Sequence, residues 1–407
     1  MGSRGTLLKP LALDPAYPRY AVGVGSWFVG WTIQSVVFGW IVVGELQAST
    51  GLFGVVQGAL TLPGAVLALV GGAIADRADR RRLLVALHCT FATLALALCA
   101  AIEVVGLSAP ILIAYALAAG AVQGLVLPAR AALLYDVAGT DLTRAVTIAT
   151  AVQSAAQVLG PVLGISARFV GTTRALVLQS AVVLIGALAL ATMRAIPSRT
   201  EAPRGAFAEI RDGLVFVWRS VLLRHLVLVS FAQAVLYLGP LHVLVPLVVR
   251  DAYAGGVTQL ALAMAAFPLG IAVGSVGALS RRPRSASGGG GALVVALVGS
   301  ALCLATIALG VPAVPFVLTI LAWGACASVF FNASRVLLQE AAPSTHRGRI
   351  FAAHALAIGL AGPSSVLAAT VLAHWTGSLM AFAVHGAATF VVAVYVRAVV
   401  RTPTTRE

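Results

Sequence analysis

The sequence predicts an all-α membrane protein in which twelve transmembrane helices form two parallel six-helix pseudo-repeats. Three observations carry this. Of 407 residues, 60% are hydrophobic and only 10% charged, with a mean hydropathy of +1.00. A soluble domain averages about 25% charged residues and has no core large enough to hide this much apolar surface. Twelve apolar runs reach the ~20 residues that cross a bilayer as a helix. Finally, Arg19, Pro63 and Arg130 recur as Arg224, Pro268 and Arg335 at one constant spacing, while Asp136 and Gly160-Pro161 recur close to it as Glu340 and Gly362-Pro363. Six crossings return the chain to the same side. The halves are then related by an axis along the membrane normal, with a substrate path between them.

In order, the spans are read over Arg19–Gly44, Gly51–Ala75, Leu83–Val105, Ala109–Ala131, Ala145–Ala167, Arg174–Ile196, Leu223–Val249, Thr258–Leu279, Gly291–Gly310, Val314–Leu337, Ile350–Ala373 and Ser378–Val400. Residues 1–196 make the first half, 197–222 a link and 223–407 the second half. In the link, Phe207, Ile210, Leu214 and Val217 repeat at helical spacing, with Glu209, Arg211, Asp212 and Arg219 on the other faces. That is the pattern of a helix lying in the membrane interface. Arg281 to Gly291 reads as a flexible basic linker.

The net charge is +14, from 27 basic and 13 acidic residues. Every Lys and Arg except Arg168, Arg174 and Arg250 falls in or beside a terminus or a loop that follows an even-numbered span. The positive-inside rule then places both termini and the long link in the cytoplasm, so the basicity belongs to membrane orientation rather than to nucleic acid. Cys89, Cys99, Cys303 and Cys326 sit inside apolar runs without paired or metal-ligand spacing and read as small buried hydrophobes. Met1 to Pro18 holds no apolar core of a cleavable signal, so span one is expected to anchor the chain. The sequence offers no nucleophile motif, phosphate-cradling loop or metal cluster. No catalytic residue, cofactor or metal is expected, and no ATP-driven pump.

Four segments carry a family resemblance: Gly71-Gly-Ala-Ile-Ala-Asp-Arg-Ala-Asp-Arg-Arg-Arg-Leu-Leu84 between spans two and three, Leu127-Pro-Ala-Arg-Ala-Ala-Leu-Leu-Tyr-Asp136, Gly160-Pro-Val-Leu-Gly164, and Gln339-Glu-Ala-Ala-Pro-Ser-Thr-His-Arg-Gly-Arg349. In their order and spacing they resemble the major facilitator superfamily of secondary transporters, and more narrowly the branch with enterobactin exporters and macrolide-efflux proteins. The resemblance implies that Gly72 lets helices pack closely and that Asp76 faces the N-terminus of span eleven, where a helix dipole stabilises a carboxylate. Arg80 would pair with Asp136, and together these residues would latch the inner gate. Arg281 stands where Asp76 would repeat, so a matching latch in the second half is degenerate.

By the same resemblance, Gly160, Pro161 and Gly164 form an exporter-like motif in span five, with Ala156 and Ile165 where it usually has glycine. Two further departures concern coupling. Gly120 stands where many proton-coupled members carry an arginine, three residues before Gln123-Gly124, and Gly30 is followed by Trp31 where relatives of this branch often have an acid. No Asp or Glu lies deep in any span, although such carboxylates are the usual proton carriers. His242, His354, Asp136 and Glu340 are the remaining candidates for coupling.

Polar and aromatic residues inside spans are costly unless they face a cavity or a partner. Trp27, Trp31, Gln34 and Phe38 lie on one face of span one. Gln57 and Thr61 in span two, Gln123 in span four, Gln153 and Gln157 in span five, Gln233 and Tyr237 in span seven, and Trp323 and Asn332 in span ten complete the cavity candidates. Each glutamine fits interhelical hydrogen bonding equally well. An aromatic and amide lining without fixed charge suits a lipophilic, weakly polar ligand.

The expected function is secondary active export of a drug, macrolide-like compound or siderophore by alternating access, coupled to protons or another ion. An uncoupled uniporter or importer of the same fold is the second reading, and a non-transporting membrane sensor or assembly partner the third. The expected location is the inner membrane of a bacterium, as a monomer, with the lipid bilayer and a small-molecule substrate as partners.

Overall fold

The computed structural model describes residues 13–194, 206–279, 289–343 and 346–401, and among these every regular element is helical. Twelve helices are long and apolar enough to cross a membrane: Tyr17–Glu45, Thr50–Ala68, Arg80–Val105, Ala109–Val137, Leu142–Val170, Thr172–Ala191, Val221–Asp251, Val257–Gly277, Gly290–Ala308, Ala313–Ala341, Arg347–Thr376 and Ser378–Val399. They are called spans one to twelve below. The end of the bundle that carries the termini and the Arg-rich turns is called the basic end, and the opposite one the far end.

Helix ends depart from the sequence reading where charged residues continue a helix. The second span's helix runs on to Arg77 and the third starts at Arg80, which shrinks the basic turn to Ala78-Asp79. Asp79 closes it as an N-cap, accepting from the Arg82 amide at 3.0 Å. At the far end, spans three and five close on Gly106 and Gly171, at φ +91° and +88°, a region open to glycine at no steric cost. Spans one and seven each contain a wider π-helical turn, Ile41–Glu45 and Pro240–Leu244.

The packing repeats as the sequence does. Span two lies on four, three on six and one on five, and correspondingly eight lies on ten, nine on twelve and seven on eleven. The 2–4 and 8–10 crossings are backbone against backbone. A Cβ added to Gly120 would stand 2.2 Å from the Leu60 carbonyl oxygen, and one added to Gly324 would stand 2.1 Å from that of Phe267. Small residues four apart, Gly120 and Gly124 against Gly64, Gly270 and Gly274 against span ten, allow this approach.

Across the halves, span two meets eleven and span five meets eight. The buried core shows where. Far-end residues of the second half, such as Val243, Leu260, Trp323 and Phe382, are continuous with the core of the first half. Its basic-end residues, such as Leu226, Leu297, Leu338 and Ile350, form a separate cluster. The halves therefore join at the far end and keep distinct cores at the basic end. The link helix Ala206–Arg219 belongs to that second cluster through Val217. It sits against the start of span eleven, with Phe216 stacked on His346 at 4.5 Å and Asp212 3.9 Å from Arg349. The side chains of Phe207, Glu209 and Ile210 lie outside those described, as does Arg281.

Arg250 clasps the far end. Its Nη1 donates to the Ala48 carbonyl at 2.6 Å, across the halves, while Nε and Nη2 hold Asp251 at 2.5 and 3.2 Å. A hydrogen bond from a charged group contributes about 1.5–3 kcal/mol. Arg250→Gln is therefore expected to shift the far-end equilibrium toward opening by roughly tenfold or more. Spin labels at Ser49 and Ala252 read this directly as a longer-distance population, and an unchanged distribution would remove the clasp.

Candidate functional site

A cavity of about 160 Å³ lies between the halves, walled by spans one, two, seven and eleven. Trp31, Gln34, Ser35, Phe38 and Gly39 come from span one, Gln57, Leu60 and Thr61 from span two, Leu238 and His242 from span seven, and Gly362 and Val366 from span eleven. No Asp, Glu, Lys or Arg is among them.

Span seven can present His242 here because two prolines break its hydrogen-bond ladder. Pro246 has no N–H to offer the carbonyl four residues before it, which is that of His242. Gln57 Nε2 satisfies the orphaned oxygen from the opposite half at 2.9 Å. Pro240 interrupts the same helix, and Ser365 of span eleven repairs the rung beside it, accepting from the Gly239 amide and donating to the Val235 carbonyl. The His242 ring is anchored by Nδ1, 3.0 Å from the Leu238 carbonyl. That bond fixes Nδ1 as the donor in the neutral ring and leaves Nε2 as an acceptor.

Gln34 is held from behind. Its Oε1 accepts from Tyr115 Oη at 2.8 Å and from Gln179 Nε2 at 3.3 Å, and its Nε2 has no partner. Phe38 packs on Tyr115 with ring centroids 5.0 Å apart. The side chain is 1% exposed, so that amide nitrogen is a buried donor at the cavity wall.

Trp31, Gln34, Gln57, Thr61 and His242, singled out from sequence for separate reasons, thus share one cavity. Trp27 does not join them. Its Nε1 donates to Gln123 Oε1 at 3.0 Å, and its ring lies 4.9 Å from Phe91 and 5.0 Å from His88, inside the first half. The stripe on span one splits because Gln123 of span four offers Trp27 an acceptor. Gln153 and Gln157 are half-buried on span five, away from the cavity walls. Tyr237 is paired with Ser300 at 2.7 Å and ringed by Phe267, Trp323 and Phe331, and Gln233 is fully buried, so these residues belong to the interior of the second half. Asn332 is exposed and 3.4 Å from Ser328 Oγ.

At the basic end, Arg80 Nη1 reaches both Asp136 oxygens at 2.8 and 2.9 Å, joining the start of span three to the end of span four. The pair lies within the first half. The surroundings of Gly72 and the side chain of Asp76 lie outside those described. Glu340 is exposed and His354 half-buried, neither at the cavity. In span five, Gly160 lies against span one, where a Cβ would meet Thr32 Oγ1 and the Val29 carbonyl. Gly164, one turn on, is less crowded but still tight, since a Cβ there would stand 3.3 Å from the Val36 side chain. Pro161 is buried beside them.

Tyr115, Gln179, Ser365 and Arg250 were not read from the sequence as parts of the site. Pro246, four residues after His242, was the available sign of a freed carbonyl. Nothing comparable marked the others.

A family model described as Major Facilitator Superfamily matches residues 21–362. No curated protein sequence matches the chain. Among solved structures, the nucleoside transporter NupG superposes with a TM-score of 0.76 at 13% identity, over 94–95% of this chain and 99% of that one. A D-xylose-proton symporter superposes with a TM-score of 0.68 at 16% identity, over 93% and 96%. The human organic anion transporter MFSD10 superposes with a TM-score of 0.62 at 18% identity, over 94% and 98%. At these identities the likeness is one of fold.

Proposed function

The chain belongs to the Major Facilitator Superfamily of membrane transporters, and from that membership we propose that it exports an uncharged, amphipathic small molecule by alternating access. The observation that carries the solute class is the cavity between the halves, with aromatic, amide and imidazole walls and no formal charge. A fixed charge in a low-dielectric wall would select an oppositely charged solute; this wall has none. Direction rests on the resemblance of Gly160-Pro161 and Gly164 to the exporter motif.

The basic end is taken as cytoplasmic from the positive-inside pattern. The conformation, closed by Arg250 and the shared core at the far end, is then inward-facing. Asp76, Arg80 and Asp136 would latch the inner gate in the opposite state. A cavity of 160 Å³ is comparable with the ~150 Å³ that holds one benzene ring. In this conformation that favours a small solute over a macrolide or siderophore. His242 is the titratable side chain in the wall and the first candidate for proton coupling.

The lack of a carboxylate in the wall equally favours an uncoupled uniporter. Uptake of radiolabelled neutral aromatic solutes into inverted vesicles with an imposed pH gradient separates the readings, with Asp76→Asn as control. Accumulation that needs both the gradient and Asp76 supports the coupled exporter. Equilibration without accumulation supports the uniporter. If no solute moves and cysteines at Ser35 and Gln157 never alternate in accessibility, the chain is a non-transporting sensor or partner.

A further inference from the structure

The polar atoms of the cavity specify more than neutrality. Gln57 must present Nε2 to the His242 carbonyl, because an amide oxygen cannot donate; its Oε1 is therefore the free branch, an acceptor. His242 is committed through Nδ1 to the Leu238 carbonyl, which leaves Nε2 as a second acceptor. Gln34 is committed through Oε1 to Tyr115 and Gln179, and its Nε2, buried with no partner, is a donor. A buried donor without a partner costs about 1–3 kcal/mol, so a solute that accepts from Gln34 recovers that penalty on binding.

The Gln57 and His242 assignments are forced by backbone carbonyls, so an arriving solute does not reset them, and Gln34 takes its orientation from Tyr115 and Gln179. Trp31 and Phe38 supply flat apolar walls about two turns apart on span one, and the volume holds about one ring.

We propose that the binding site is built for a planar carboxamide or lactam, whose carbonyl accepts from Gln34 Nε2 while its N–H donates to Gln57 Oε1 or His242 Nε2. A carboxylic acid fails because its carboxylate meets two acceptors with no cation. A plain arene fits the volume but leaves Gln34 unpaired. This rests on the carrier reading above only in placing the substrate site at this cavity.

The test is equilibrium binding to the full chain in lipid nanodiscs, read by tryptophan fluorescence and by displacement of radiolabelled benzamide. Benzamide and 2-pyridone are expected to bind at least tenfold more tightly than benzoate or toluene. Gln34→Leu and Gln57→Leu should each weaken benzamide by about tenfold, the ratio expected for a lost buried hydrogen bond. Gln34→Glu keeps the shape and replaces the donor by an acceptor. It should lose benzamide and gain its cationic amidine analogue, benzamidine, a change of preference that an unfolded variant cannot produce. Equal affinity for benzamide, benzoate and toluene overturns the proposal, as does a Gln34→Glu variant with unaltered preference. Alternating cysteine accessibility at Ser35, measured on the same preparations, reports the carrier reading separately. Alternation without amide selectivity sinks the solute class alone, and amide selectivity without alternation sinks the carrier alone.

Discussion

Replacing Arg80 by alanine is expected to lower transport at least tenfold and to reduce thermal stability measurably. Its guanidinium makes two bonds of 2.8 and 2.9 Å to Asp136, and the two side chains are 16% and 14% exposed. Exposed ion pairs contribute about 0–1 kcal/mol, while removing one partner of a fully buried pair costs about 3–5. This pair lies between those limits, at roughly 1–3 kcal/mol. The loss comes from the Asp136 carboxylate left half-desolvated. Asp136→Asn in the same chain should therefore restore part of the stability lost in Arg80→Ala. A double-mutant cycle in a thermal-shift assay measures this coupling. Strict additivity, with Arg80→Ala transporting normally, would reduce the pair to two surface charges.

Gly120→Val is expected to be more severe, abolishing a monodisperse folded species. The position gives no room for even a Cβ, which would stand 2.2 Å from the Leu60 carbonyl oxygen and 2.9 Å from its carbon. The obstacle is backbone, which cannot swing aside as a side chain tip can. Spans two and four would have to separate along their length, a cost above about 4 kcal/mol. Gly58→Val, on the same helix pair with nothing within 4 Å, is the matched control and should be tolerated. Fluorescence-detected size-exclusion chromatography distinguishes them, and identical profiles would disprove the close crossing. The same geometry explains a departure from the family pattern. The resemblance implies an arginine at position 120 in proton-coupled members, and in this packing no side chain fits there.

Much of the fold was legible because a membrane imposes a length and a polarity on every span, and twelve runs met both. Helix ends were less so. Arg77 and Arg80 look like loop residues by charge, yet helices continue through both, and Arg80 is accommodated by its bonds to Asp136 of span four. The site was half-legible. Gln34, Gln57 and His242 stood out as polar groups in apolar runs. Which of them would meet, and that Trp27 would turn away to Gln123, depended on helix rotations that periodicity does not fix. The hidden partners, Tyr115 and Gln179 behind Gln34 and Ser365 behind Gly239, are ordinary residues whose role exists only through contacts far apart in sequence.

The far-end seam also bears on time. Within each half, glycine crossings hold helices together backbone to backbone, and such contacts do not slide. Between the halves, Gln57 and Arg250 bond across the seam through their side chains. Opening the far end ruptures the Arg250 bonds and leaves the glycine crossings inside each half intact. A collective hinge of that kind proceeds in microseconds to milliseconds. On the alternating-access reading proposed above, each half would then move as a rigid body, and the seam that Arg250 and Gln57 hold would be where the two part.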